Sequence, residues 1–281
     1  MEYSNPEIPE DINTTKEHPL KEFLILTIGV LGAIVIIVAI VGLLSEKLAV
    51  YIPFSVEQQL VPDKLKNNVE GNQQIVGYLQ SLSDQLSQQI QLPDGMKFTI
   101  HYIDEPVENA YATLGGHIYI YQGLLKLLPN ENAMAMVLAH EMAHVYHRHP
   151  IIAMGRGVVI GLLLSAISGI SSDIFVGQVV NDTGVLTLLT FNRDQEREAD
   201  KTALEMLAKQ YGHIEGADDL FKTLKDSQKN RYEPPLFLST HPLSDERIVN
   251  INNLAKEKGW KLTGDTTPLP EFIRNIKTDK K

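Results

Sequence analysis

The chain has 281 residues, enough to bury one core, and it carries a formal net charge of −10 at pH 7. This acidity argues against binding to nucleic acid, which needs a basic face. Because the chain has no cysteine, thiol catalysis, disulfides and cysteine zinc sites are excluded. The compartment stays open, since a cysteine-free chain suits either side of a membrane.

The first predicted element is a membrane anchor at residues 23–44, a stretch without any charged side chain. As a helix it would be roughly 33 Å long, enough to cross a hydrocarbon core of about 30 Å. Residues 1–22 form a polar, acid-rich tail, and no small-residue cleavage site follows the apolar stretch. We therefore expect a retained single-pass anchor, with the lipid bilayer as one partner.

The orientation of this anchor is not decided by charge. Two lysines precede it, and three follow it within the next 22 residues, too small a difference for the positive-inside rule. A second apolar stretch, residues 157–170, is too short for a full span and suits a buried or interfacial helix better. Whether residues 157–180 touch the membrane stays open at this point.

Beyond the anchor, the pattern predicts an α+β domain that is mainly helical with a small sheet. Residues 57–92 show helical spacing of apolar positions, and residues 96–103 and 117–121 alternate as strands do. Further helices are predicted from Asn130 as N-cap, from Val185 to a stop at Gly212, and from near Ser244. We place the domain at residues 45–262, followed by a loosely held polar tail at residues 263–281.

The segment VLAHEMAHVYHRHP, residues 137–150, holds four of the nine histidines of the chain. His140 and His144 are four residues apart, so on a helix both imidazoles face one side and can bind one zinc ion. Glu141 can then reach a water at that ion. The alternative is a chance match in a surface helix, which the apolar flanking residues disfavour.

His147 continues the stripe of His140 but lies about 10 Å further along the helix axis, too far to share an ion with it. The metzincin pattern is excluded, because His147 stands where its glycine would be and Pro150 where its third histidine would be. We interpret His147 and His149 as polar residues at a helix end that Pro150 helps to terminate.

A third ligand is expected in RDQEREAD, residues 193–200, because catalytic zinc usually has three protein ligands and one open position. Glu196 and Asp200 share one helical face, so one can bind the metal and the other can orient a ligand histidine. Glu198 points to the opposite side. The alternative is an exposed charged helix. A single membrane crossing between His144 and Glu196 would separate these ligands, which argues against a span at residues 157–170.

HEMAH followed about fifty residues later by RDQEREAD resembles the membrane-associated gluzincins of metallopeptidase family 48. This group contains the CAAX prenyl proteases, the HtpX-type heat-shock proteases and their periplasmic relatives. The stretches NAYATLGGHIYIYQGLL and STHPLSDERI are similar to two further family motifs, so the resemblance covers residues 102–248. The long transmembrane hairpins of the prenyl protease and HtpX branches are absent, and Leu114 replaces a frequent proline.

The resemblance implies a gluzincin-type zinc peptidase fold and a role for each matching residue. His140, His144 and Glu196 would be the zinc ligands, Glu141 the catalytic base, and His241 a further catalytic group. Asp200 and Arg247 would approach the metal site as partners of the ligands. A substrate-binding strand is implied at Asn109, Ala110, Tyr111 and Ala112.

The expected function is zinc-dependent endopeptidase cleavage of polypeptides, in protein quality control at the cell envelope. In this mechanism Glu141 moves the proton, and His241 donates to the developing oxyanion. Single-anchored relatives imply an extracytoplasmic domain. One alternative is a membrane-tethered chaperone or binding module whose zinc site is latched by His241 or inactive; another is a structural zinc site with four closed ligands. The sequence names neither substrate, cleavage preference nor oligomeric state.

Overall fold

The computed structural model describes residues 18–49, 51–61, 72–157, 191–228, 235–242 and 245–276. The helices in this part of the chain are α1 (Pro19–Ala49), α2 (Phe54–Leu60), α3 (Gln73–Ser87), α4 (Gln122–Leu127), α5 (Glu131–Tyr146), α6 (Arg193–Tyr211), α7 (Asp219–Gln228), α8 (Leu236–Thr240), α9 (Asp245–Lys258) and α10 (Glu271–Arg274). Residues 149–157 are also helical. The predicted mainly helical α+β class with one small sheet is confirmed.

The N-terminal helix α1 has the length and composition of a membrane span. Residues Pro19–Val41 have a mean hydropathy of 3.2, and the most apolar window has no buried residue. It is the one helix in the described residues that is long and apolar enough to cross a bilayer. The second apolar stretch, residues 157–170, lies outside the described residues except for Gly157.

In the part of the chain that the structure describes, the sheet contains three strands, β1 (Thr99–Ile103), β2 (Ala110–Ala112) and β3 (His117–Tyr121), in the order β1-β3-β2. β1 runs parallel to β3, while β2 runs antiparallel to it and forms one edge. Between β2 and β3 the chain turns through Gly115 and Gly116, which have φ of 69° and 83°. Gly116 passes so close to the Lys97 carbonyl that no side chain fits.

Helix α5 lies at the centre of the core. Its side chains are apolar on nearly every side. The helix is therefore buried all around, against the sheet, α3 and α6, and not on one face alone. Asn130 caps it as predicted, since its side chain accepts a hydrogen bond from the Ala133 amide at 2.8 Å. The motif histidines and Glu141 are therefore carried on a rigid, water-excluded helix.

Two predicted helices differ from the structure. Residues 57–92 are not one helix: α2 ends at Leu60, and α3 begins at Gln73 after the Asn72 cap, with residues 62–71 outside the described part. The helix predicted from Val185 begins only at Arg193, because Asn192 forms a capping box with Gln195. Its end at Gly212, with φ of 76°, is confirmed.

The polar C-terminal tail is not loosely held in the residues that the structure describes. Leu269 and Ile273 are buried in the main core, and the Thr267 backbone bonds to the start of α5 through Asn132 and Glu131. The prediction is wrong because two buried apolar side chains and two backbone hydrogen bonds hold the tail to the domain, and these tertiary contacts cannot be read from composition. Residues 277–281 lie outside the described part.

Candidate metal centre

Four buried side chains from three parts of the chain converge at the end of α5. His140 and His144 come from α5, Glu196 from the first turn of α6, and His241 from the residue that follows α8. One ligand atom of each lies within 4.8 Å of all the others. The sequence-predicted ligand set of His140, His144 and Glu196 is thus brought together, and His241 joins it.

The spacing of these atoms fits a tetrahedral metal site. With metal–nitrogen distances of about 2.0–2.1 Å, tetrahedral ligand atoms lie about 3.3 Å apart. Nε2 of His140 is 3.1 Å from Nε2 of His144 and 3.2 Å from Nδ1 of His241. The carboxylate of Glu196 lies 3.5 Å from His140, 3.4 Å from His144 and 3.0 Å from His241. Three imidazole nitrogens and a carboxylate are also donors that zinc prefers.

Asp200 and Arg247 lie behind the ligands. Asp200 Oδ1 is 3.0 Å from Nδ1 of His140, one turn after Glu196 on α6. Arg247 donates to both oxygens of Asp200 at 2.8 Å, and its third nitrogen lies 2.8 Å from Glu196 Oε2. A planar guanidinium therefore holds both carboxylates in fixed orientations.

These contacts set the charges of the protein groups. Burial lowers the pKa of His140, but the neighbouring carboxylates of Asp200 and Glu196 outweigh it and raise that pKa to about 9. Burial similarly raises the pKa of Glu196, yet His241 and hydrogen bonds from the histidines hold it well below its usual range. For His144, burial dominates and holds the pKa well below its ordinary value. The carboxylates thus stay ionised at neutral pH.

Glu141 is fully buried beside this cluster, and neither of its carboxylate oxygens has a hydrogen bond among the described residues. Nε2 of His241 lies 3.4 Å from Glu141 Oε1. A buried carboxylate without hydrogen bonds is costly to the fold.

His241 is positioned by its aromatic neighbours and by backbone bonds. Its ring stacks on Phe237 at a centroid distance of 4.7 Å, and its amide donates to the Phe237 carbonyl. The Phe237 amide in turn donates to the Glu108 carbonyl, just before the predicted substrate strand. This connects the fourth ligand position to the segment that leads into β2.

The predicted substrate strand, Asn109–Ala112, contains edge strand β2. Hydrogen bonds at Asn109–Tyr121 and Thr113–His117 fix the register, so the amide and carbonyl groups of Ala110 and Ala112 point away from β3. Both alanines are nevertheless fully buried. Leu114, the departure in the turn after this strand, is buried with Val61, Ile151 and Ile152.

Phe191 and the contact that His149 makes with the site were missed by the sequence analysis. Phe191, immediately before the cap of α6, stacks on the His144 ring at 3.9 Å between centroids. His149 is buried and its Nδ1 lies 2.9 Å from Nδ1 of His144. No helical periodicity could reveal His149, because the chain leaves the helix between the two histidines.

The helix-end interpretation is confirmed for His147 and wrong for His149. His147 terminates α5, and its Nε2 lies 2.8 Å from the Thr202 hydroxyl. Burial lowers the pKa of His147, which favours its neutral form. Pro150 lies in the first turn of the helical residues 149–157, where a proline is tolerated. Burial and His147 lower the pKa of His149 to about 3.

Comparisons with known proteins bear on this site. The model of Peptidase family M48 matches residues 73–255. Over 169 residues the chain is 29% identical to a putative beta-barrel assembly-enhancing protease of Vibrio cholerae, covering 57% of this chain and 35% of that protein. It is 32% identical over 164 residues to the mitochondrial metalloendopeptidase OMA1 of Schizosaccharomyces pombe, covering 58% and 48%. It is 26% identical over 193 residues to the beta-barrel assembly-enhancing protease of Escherichia coli, covering 64% and 39%.

The matches thus span about a third to a half of the length of these curated relatives. The family match includes the HExxH segment of α5 and the Glu196–Asp200 segment of α6, which the structure joins in one buried cluster. The family model also covers more than half of the chain, and the chain therefore belongs to peptidase family M48.

Proposed function

We propose that this chain is a membrane-anchored zinc metalloendopeptidase that cleaves extended polypeptides. The observation that carries the proposal is the convergence of His140, His144 and Glu196 at tetrahedral spacing beside the buried, unbonded carboxylate of Glu141. The donor set suits zinc, and Asp200 and Arg247 fix its orientation.

Each residue then has a task in hydrolysis. His140, His144 and Glu196 would hold a zinc ion, which when bound would supply Lewis-acid activation of water and of the scissile carbonyl. Glu141 accepts a proton from the attacking water at a carboxylate oxygen and returns it to the leaving amine. His241, whose Nε2 lies 3.4 Å from Glu141, is the candidate donor to the oxyanion once it is released from the ligand cluster.

A polypeptide substrate can be held by strand addition at β2. The outward amide and carbonyl groups of Ala110 and Ala112 are the pairing groups, and Asn109 and Tyr111 flank them. Because these residues and the ligands are buried, the site is closed to solvent in this structure. Substrate binding therefore requires the site to open.

The enzymatic proposal is tested by Glu141→Gln in the full chain purified in detergent. Glutamine keeps the size of the side chain but cannot accept the proton, so cleavage of casein should fall by about a hundredfold or more. Zinc content should remain one ion per chain. The matched control is Glu205→Gln on the exposed face of α6, which should keep wild-type activity. An active Glu141→Gln enzyme would contradict the mechanism.

A second candidate function is a membrane-tethered chaperone or binding module with a closed zinc site. It is supported by His241, whose Nδ1 occupies the position of a fourth ligand 3.0 Å from Glu196 and 3.2 Å from His140. His241→Ala separates the two candidates. Activity should rise if His241 closes the site, and it should fall by about a hundredfold or more if His241 stabilises the oxyanion. A persistently inactive chain whose cellular role survives Glu141→Gln supports the binding module.

The proposed cellular setting is protein quality control at the cell envelope, with residues 23–44 in the bilayer and the peptidase domain from residue 45 on the extracytoplasmic side. Support comes from the exposed, apolar α1 and from relatives named as an assembly-enhancing protease and a mitochondrial metalloendopeptidase. Residues 45–262 would form the domain, and residues 263–276 pack on it.

A further inference from the structure

A chain of three side chains leads from the candidate metal centre to the protein surface. Nδ1 of His144 lies 2.9 Å from Nδ1 of the buried His149. The opposite nitrogen of His149, Nε2, lies 3.4 Å from Oε2 of Glu198, whose side chain is 60% exposed. His149 and Glu198 line a surface cleft of about 640 Å³.

The contact between the two histidines depends on the turn after α5. In an unbroken helix, residue 149 would lie about 140° around the axis from residue 144 and would point away from it. Arg148 has φ of 63°, a left-handed conformation that reverses the chain and brings His149 back onto His144. Arg148 is fixed there by the Glu57 carboxylate at 2.6 Å and by the Ile52 carbonyl at 2.7 Å.

Coordination decides the direction of the hydrogen bonds along this chain. A His144 ring that presents Nε2 to a metal carries its proton on Nδ1. Nδ1 of His149 must then be the acceptor, which places the His149 proton on Nε2, facing the Glu198 carboxylate. One tautomer of each ring satisfies both contacts.

We propose that His149 is a positioning residue for the metal ligand His144. It accepts the Nδ1–H of His144, fixes the ring in the metal-binding tautomer, and is itself oriented by Glu198. The inference rests on the proposed zinc site. The supporting group of His140 is different, since Nδ1 of His140 lies 3.0 Å from the Asp200 carboxylate itself. The two histidines of one motif thus have different supporting groups, and a histidine stands between His144 and its carboxylate.

The rival explanation is that His149 only fills space, because its ring also lies against Phe191 and stacks on His147. Two substitutions separate the roles. His149→Phe keeps a ring but has no acceptor, whereas His149→Asn is smaller but places an amide oxygen where Nδ1 was. The matched control is His147→Phe. The phenylalanine ring keeps the stack on His149, and the only polar contact described for the His147 side chain, with Thr202, is lost.

The experiment measures zinc affinity of the full chain in detergent by competition with a chelator, independently of proteolysis. We expect His149→Phe to weaken zinc binding by about 10–100-fold, the effect of losing an outer partner of a ligand. His149→Asn should bind within about threefold of wild type, Glu198→Ala should be weakened by a smaller factor than His149→Phe, and His147→Phe should be unchanged. The thermal midpoint of each metal-free variant reports folding.

The possible outcomes are distinguishable. A wild-type chain that binds no zinc overturns the proposed function and this inference together. A wild type that binds zinc while His149→Phe binds it equally well overturns the inference alone. Equal weakening in His149→Phe and His149→Asn assigns His149 a packing role and also overturns it. If His149→Phe does not fold, zinc binding by His149→Asn and Glu198→Ala decides: full affinity in Glu198→Ala rejects the chain of hydrogen bonds.

Discussion

At the scale of single residues, His140 is protonated in the metal-free site. Its positive charge takes the place of the charge that a bound metal ion supplies. Two carboxylates, Asp200 and Glu196, lie within 3.5 Å of its ring. They outweigh burial and raise the pKa of His140 to about 9. Because that pKa is above the ordinary value, the stabilisation of the metal-free protein is complete below pH 6.5 and is lost as the pH rises through about 9.

Zinc binding should therefore displace a proton from His140. Between pH 7 and about 9, we expect the zinc affinity to rise by about tenfold per pH unit and then to level off, since a protonated imidazole cannot bind metal. Calorimetry in buffers of different ionisation enthalpy should show this proton release at pH 7.5. Asp200→Asn should reduce the release by lowering the pKa of His140. An affinity that does not change from pH 7 to 9 would contradict the charge assignment.

Arg247 has the largest predicted effect on stability at the residue scale. It is buried over the Phe221 ring and paired with both Asp200 and Glu196. Arg247→Met keeps the side-chain volume but leaves two buried carboxylates without their cation, which should cost about 3–5 kcal/mol of unfolding free energy. Denaturant unfolding of the metal-free chain measures it. Arg197→Met, on the exposed face of α6, is the control and should change stability by at most about 0.5 kcal/mol.

At the scale of elements, the sequence correctly predicted those features that depend on residues close together in the chain. The cap at Asn130, the alternating strand at residues 117–121 and the stop at Gly212 each depend on neighbours in sequence, and each is present. The HExxH spacing likewise brought His140 and His144 onto one face. The return of His149 to His144 was not predictable, because it depends on Arg148, whose left-handed conformation is held by Glu57, 91 residues away.

The end of α6 offers a clean test of a conformational effect. Gly212 has φ of 76°, and a Cβ added there would meet no atom within 4 Å. Gly212→Ala should therefore destabilise the protein by about 1 kcal/mol through backbone strain alone. Gly77→Ala, on the exposed face of α3 and also free of contacts, should instead stabilise it by up to about 1 kcal/mol. Equal shifts in both variants would show that neither glycine acts through its backbone.

At the scale of the whole molecule, the anchor and the site are close along the chain. Helix α1 ends at Ala49 and α2 begins at Phe54, so residues 50–53 span at most about 14 Å. Glu57 of α2 then pairs with Arg148 beside the metal centre and accepts from the Gly115 amide in the turn after β2. The segment that follows α1 is thus part of the fold that supports the candidate metal centre.

The last prediction concerns the side of the membrane on which this domain lies. One crossing by α1 places residues 1–18 and the peptidase domain on opposite sides, and the lysine balance near its ends does not select between them. From the single-anchored members of the family we expect the domain outside the cytoplasm. Alkaline phosphatase fused after Lys281 should then be active, and a green fluorescent protein fused at the same position should be dark. A control fusion before Glu2 should show the reverse pattern. Fluorescence from the C-terminal fusion would place the peptidase in the cytoplasm and redirect the search for its substrates there.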